Sequence, residues 1–125
     1  MKIRISGNSL RFRLKQTEVK RFRDEGEIRE EILFGMLPAD QLAFVLKAGL
    51  SDYFTIIWES NTVCVEVPES VWTEWSSTDL VGFEKDITTG KGHTIRVLVE
   101  KDFVCLDGGT AVDNQDAYPN LNKTC

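Results

Sequence analysis

The chain is poor in the residues that carry most enzymatic chemistry. Its 125 residues include one histidine, His93, and three cysteines, Cys64, Cys105 and Cys125. Nucleophilic catalysis needs a base within reach of its nucleophile, and His93 lies beside the glycine-rich turn Gly90–Gly92, where an exposed imidazole is the simpler expectation. No Cys-x-x-Cys or His-x3-His spacing occurs, which excludes a standard zinc site. A mixed donor set of Cys105 and Cys125 with Asp113 or Asp116 falls in an acidic tail that reads more simply as solvated, and whether those two cysteines pair stays open. No catalytic residue, metal or cofactor is expected. Three cysteines cannot all pair with one another, which favours a reducing, cytoplasmic compartment. No apolar run approaches the roughly 20 residues of a membrane-spanning helix. The opening residues 1–6 alternate apolar with polar, where a secretory leader would carry an apolar core. With 42% hydrophobic and 28% charged residues, the composition is that of one folded domain, expected to span residues 1–125.

Phosphate-cradling motifs are also missing. Thr89-Gly90-Lys91-Gly92 lacks the full Gly-x4-Gly-Lys-Ser/Thr pattern and joins two strand-like segments, so it reads as a hairpin turn.

Charge is plentiful but unevenly placed. Residues 1–23 hold Lys2, Arg4, Arg11, Arg13, Lys15, Lys20, Arg21 and Arg23 against Glu18 alone, a local +7, so residues 24–125 must carry −12 to give the net −5. A net acidic chain repels phosphate backbones at long range, so general nucleic-acid binding is not expected. The basic segment is expected to lie against acidic strands of the same chain; the competing expectation is an anion site formed by Arg4, Arg11, Arg13 and Arg96.

An internal repeat organises the chain. At an offset of 53 residues, Ile3, Ile5, Leu10, Phe12 and Leu14 fall on Ile56, Trp58, Val63, Val65 and Val67. Val19 and Phe22 fall on Trp72 and Trp75, Ile28 and Phe34 on Val81 and Ile87, and Leu42, Phe44 and Leu46 on Ile95, Val97 and Val99. Each unit, 1–48 and 54–101, reads as two strands, a helix and two strands. In the first, strands at 2–6 and 10–15 flank Gly7-Asn8, a helix capped by Thr17 ends at Gly26, and strands follow at 27–34 and 41–48. In the second, strands at 54–59 and 62–67 flank Ser60-Asn61, Ser70 caps a helix carrying Trp72 and Trp75, and strands follow at 81–87 and 93–101. Residues 49–53 link the units, and 106–125 form an extended tail. The expected fold is α+β, a duplicated β-β-α-β-β unit with about eight mostly antiparallel strands and two short helices, arranged as a sheet or a barrel-like sheet.

Strand parity assigns Ile3, Ile5, Leu10, Phe12, Leu14, Phe44, Leu46, Ile56, Trp58, Val63, Val65, Val67, Ile95, Val97 and Val99 to a core. The opposite face holds the charges together with Val45, Ile57, Cys64 and Leu98. At aligned positions the sign of charge reverses: Arg13 meets Glu66, Lys47 meets Glu100 and Arg21 meets Glu74.

The opening Met1-Lys2-Ile3-Arg4-Ile5, Gly7-Asn8-Ser9-Leu10-Arg11-Phe12-Arg13-Leu14 and Glu18-Val19 resembles that of a small uncharacterised bacterial protein family. Val99-Glu100-Lys101-Asp102-Phe103-Val104-Cys105-Leu106 and the tail Asp116, Tyr118-Pro119-Asn120 are similar to the same family. The resemblance implies a stand-alone bacterial domain of unknown function and transfers no catalytic residue. The function expected is therefore a non-enzymatic binding or protein-interaction domain, acting as a homodimer or on a protein partner through a strand edge or the mixed charged and apolar face. The alternative is a protein or enzyme that binds a small phosphate or carboxylate on the four arginines. Triphosphate-tunnel enzymes offer an analogy, since they use charged residues inside an eight-stranded barrel, but their Glu-x-Glu-x-Lys opening is absent here.

Overall fold

The computed structural model describes residues 1–103 and 116–119. Its elements run β1 (Lys2–Ser6), β2 (Ser9–Leu14), α1 (Gln16–Glu25), β3 (Glu27–Leu33), β4 (Gln41–Ala48), β5 (Thr55–Glu59), β6 (Thr62–Val67), α2 (Glu69–Ser77), β7 (Gly82–Thr88) and β8 (Thr94–Lys101). The order β-β-α-β-β occurs twice, and the fold is α+β.

Local chemistry sets the joints. Ser60 and Asn61 both adopt left-handed backbone, with φ of 52° and 57°, which closes β5 onto β6 through a two-residue turn whose twist matches the strands. α1 begins after Lys15, two residues earlier than a Thr17 cap would place it. The Glu18 carboxylate accepts the Lys15 amide at 2.9 Å, whereas Thr17 gives both its amide and its hydroxyl to Asp116. Gly26, at φ 88°, ends α1 in the left-handed region and donates its amide to the Phe22 carbonyl. α2 likewise starts after Pro68 and not after Ser70, which sits in its first turn.

The strands form two mixed four-stranded sheets and no closed barrel. Sheet I has the order β1-β2-β8-β7 and sheet II the order β3-β4-β6-β5. The four hairpin pairs are antiparallel, as the alternation suggests, but β2 lies parallel to β8 and β4 parallel to β6. Each half of the chain thus supplies one hairpin to each sheet. The two seams share one register at the 53-residue offset: Ser9 is opposite Arg96, and Thr62 is opposite Ala43.

The repeat slips at β7. Ile28 is opposite Leu46, and the residue opposite the equivalent Val99 is Phe83; Ile32 is opposite Leu42, and Ile87 is opposite the equivalent Ile95. The offset between β3 and β7 is therefore 55, correcting the match of Ile28 with Val81 and of Phe34 with Ile87. The cause lies at the helix ends. β3 starts immediately after Gly26, whereas α2 ends at Ser77 with Thr78 in extended conformation, and four residues, 78–81, separate it from β7.

One cluster of side chains fills the interior. Leu10, Phe12 and Leu14 of β2 and Val97 and Val99 of β8 join Ile28, Leu46, Val65 and Val67 of sheet II, with Val19 and Phe22 of α1 and Trp75 of α2. Phe22 meets the edges of both Trp72 and Trp75, and Trp75 meets Phe83 at a ring separation of 5.5 Å. The indole N–H groups donate to the Gly49 and Val81 carbonyls, so neither tryptophan buries an unpaired donor. Two residues of the core parity are not covered: Ile5 is 65% exposed and Trp58 63%, at equivalent positions of β1 and β5. Parity places both on the inner faces, but they lie near the hairpin turns, beyond the side chains packed around the helices.

Trp75 is fully buried and Trp72 half-buried. Trp75→Ala should therefore cost about 3–5 kcal/mol and Trp72→Ala about 1–3 kcal/mol. Urea unfolding of the two variants should rank them in that order, and equal losses would mean that the helix packs otherwise.

Candidate functional site

The four sequence-predicted arginines lie on the outer face of sheet I. β1 and β2 place Lys2 beside Arg13 and Arg4 beside Arg11, and the parallel seam then sets Arg13 opposite Glu100 of β8. Arg11 and Arg13 converge on the Glu100 carboxylate, and Arg13 also reaches Asp102 at 3.4 Å. Asp102, only 2% exposed, carries Lys2 at 3.0 Å on its other oxygen. Arg13 Nε and Asp102 Oδ2 make no aligned hydrogen bond, so charge alone holds them. Arg96 stands apart from this cluster, paired with Asp86 at 3.1 Å across the β7–β8 hairpin. Among the described residues Arg4 has no ion pair. The structure therefore brings three of the four arginines onto the chain's own carboxylates.

The reversal of sign between the halves has a direct structural use. Arg13 is opposite Glu100 in one parallel seam, and Lys47 is opposite Glu66 in the other. Without the reversal each seam would set like charges side by side.

Lys101, inside the end of sheet I, is 5% exposed. Its ammonium donates to the Thr78 carbonyl at 2.6 Å and stands 5.4 Å from the centre of the Tyr118 ring. It thereby closes the end of α2 where no glycine does so. Burial pulls its pKa below the ordinary lysine value, with Asp79 opposing the shift. Burial likewise raises the Tyr118 hydroxyl and the Cys64 thiol, which makes Cys64 a poor nucleophile. His93 is exposed in the β7–β8 turn, as its sequence setting suggests. Cys105, Cys125 and Asp113 lie outside the described residues; Asp116 accepts hydrogen bonds from Thr17. Among the described residues no group of three or more His, Cys, Asp or Glu side chains could hold a metal, and no helix is long and apolar enough to cross a membrane.

Sequence reasoning missed the end of sheet II opposite the helices. Ile32, Leu33, Phe34, Met36 and Leu37, which end β3 and open the loop to β4, are all more than half exposed, and Met36 is wholly so. The loop holds its shape through the Phe34 amide on the Asp40 carbonyl at 2.7 Å and the Leu37 amide on the Asp40 carboxylate at 3.2 Å. The Asn61 side chain donates to the Ala39 carbonyl at 3.0 Å, tying the β5–β6 turn to it. The signal was present: five apolar residues in six, with neither the period of a strand nor that of a helix.

Two mixed sheets joined by two helices, with a charged outer face on one sheet and an apolar loop end on the other, define an α+β domain. The chain belongs to the family of unknown function DUF7009, whose model matches residues 1–122. It matches no curated protein and no solved structure.

Two outcomes follow from this chemistry. Because Arg11, Arg13 and Arg96 already have carboxylate partners, inorganic phosphate at about 10 mM should leave the melting temperature unchanged, since only a ligand of the native state raises it. A rise of several degrees would instead mark an anion site. Lys101 loses its proton in the folded chain at a lower pH than in the unfolded chain. Its contribution to stability therefore rises with pH from the lowered value up to the ordinary one. Lys101→Met should remove that alkaline rise, measured as the difference in urea stability between pH 8 and pH 10.

Proposed function

We propose that the chain is a non-enzymatic protein-interaction domain that takes an apolar, basic segment of a partner protein at the loop end of sheet II. The observation that carries this reading is the run Ile32, Leu33, Phe34, Met36 and Leu37, five large apolar side chains held in water by a loop with defined internal hydrogen bonds. Exposed apolar patches of this kind on a folded chain mark contact surfaces, and a preorganised loop loses little entropy on binding. Charge selects the partner. Glu30, Glu31 and Asp40 flank the run; the Met1 ammonium holds Glu30 at 2.9 Å and Arg29 holds Glu31 at 2.9 Å, while Asp40 has no ion pair among the described residues. A partner with Lys or Arg flanking apolar side chains complements that rim, and an acidic one is repelled.

The test uses two 18-residue amphipathic peptides, one of Lys and Leu and one of Glu and Leu, titrated into the isotopically labelled protein. The Lys/Leu peptide should shift the amide resonances of residues 32–37, and the Phe34→Ser, Met36→Ser double variant should bind it at least about tenfold more weakly. Neither residue is buried, so the variant should keep the wild-type melting temperature. Equal binding of both peptides, or shifts confined to sheet I, would reject this reading.

A further inference from the structure

We propose that β5 is a self-pairing edge through which two copies of the chain join antiparallel across a twofold axis at Ile57, merging their second sheets into one of eight strands. The proposal is independent of the apolar loop and stands on the contrast between β5 and the three other sheet edges.

Edge strands invite pairing because half of their backbone groups face outward, and charged side chains on the edge are the usual defence. β1 carries Lys2 and Arg4, β3 carries Glu27, Arg29, Glu30 and Glu31, and β7 carries Glu84, Lys85 and Asp86. β5 reads Thr55-Ile56-Ile57-Trp58-Glu59, with no charge before its last residue. Ile57 is 51% exposed on the outer face, and Trp58 is exposed on the inner one.

The backbone offers a register. The two-residue turn at Ser60-Asn61 makes Glu59 and Thr62 a hydrogen-bonded pair, and the ladder then alternates. Ile57 with Cys64 and Thr55 with Glu66 are therefore also bonded pairs, while Ile56 and Trp58 turn their N–H and C=O groups away from β6. No backbone group elsewhere in the described residues takes them up. A second β5, antiparallel about Ile57, sets Ile56 against Trp58 of the other copy and Trp58 against its Ile56. Both residues of each such pair point outward, so all four backbone bonds form. On the outer face Ile57 meets its own copy, and Glu59 meets Thr55, so no like charges are opposed. Beside Ile57 the surface is a shallow hollow lined by Cys64, Thr62 and Glu59.

β1 shows what blocks the same arrangement. It has the equivalent place in sheet I, with the same register to its hairpin partner at the 53-residue offset. Pairing β1 with itself about the equivalent position would set Arg4 directly against Arg4, a repulsive cross-strand pair. Ile57 replaces that arginine in β5.

The equivalence also supplies a safe variant, because an exposed cation is already tolerated at this position of β1. Sedimentation equilibrium of the full chain should show a reversible dimer below about 1 mM, the weak range suited to a small seam. Ile57→Lys should weaken it at least tenfold, Ile57→Val should preserve it, and Trp58 emission should shift to shorter wavelength as concentration rises. A second experiment does not depend on affinity. In a chain whose Cys64, Cys105 and Cys125 are changed to Ser, Ile57→Cys should form a disulfide-linked dimer on mild oxidation, because the axis brings position 57 against itself. Thr55→Cys, four residues in register from its own copy, should not. A wild-type chain that stays monomeric to about 1 mM, an Ile57→Lys chain that dimerises as well as wild type, or equal cross-linking at positions 55 and 57 would each overturn the proposal.

Discussion

In the two parallel seams, β2 against β8 and β4 against β6, neither sheet is completed by one half of the chain. Each half gives a hairpin to both sheets, so each helix must carry the chain from one sheet to the other. That crossing puts Phe22, Trp72 and Trp75 together and lets Trp75 reach Phe83 on sheet I while Phe22 belongs to the same cluster as Ile28 and Leu46 on sheet II. The apolar interior is one body because the connectivity leaves no way to build two.

The same seams explain the charge pattern. The arginine-rich β2 meets β8, where Glu100 and the following Asp102 stand, and β4 with Lys47 meets β6 with Glu66. Asp102 is buried between two partly exposed cations, an arrangement that sets position more than it adds stability. The ion pairs with exposed partners contribute little individually. Their role is to make one register cheaper in electrostatic terms than its neighbours.

Much of the fold was legible because alternation and turn chemistry are local. Gly7-Asn8, Ser60-Asn61 and Gly26 each mark the joint they occupy, and the period-two pattern of Leu10, Phe12 and Leu14 puts the right side chains inside. What was not legible depends on distance. A strand's parity is the same whether its neighbour runs parallel or antiparallel, so the seams were invisible. The slip at β7 is two residues, an even number, so it leaves the alternation of faces along the strand unchanged. Parity also cannot say how far the opposing layer extends, which is why Ile5 and Trp58 belong to the inner faces and still meet water. For the site, the placing of Arg11 and Arg13 against acidic residues followed from charge asymmetry, whereas the exposed run Ile32–Leu37 spans a strand end and a turn, so no single period marks it.

The two seams share a register but not a separation along the chain. Ala43 and Thr62 are 19 residues apart, whereas Ser9 and Arg96 are 87 apart. During synthesis at roughly 5–20 residues per second, the β1–β2 hairpin therefore leaves the ribosome about 4–17 s before its β8 partner, while sheet II closes several times sooner. Throughout that interval one flank of β2 is an open template for any passing strand. Its outer row is then Lys2, Arg4, Arg11 and Arg13 with no carboxylate yet in place, and four like charges on a short hairpin repel an identical hairpin on a neighbouring nascent chain.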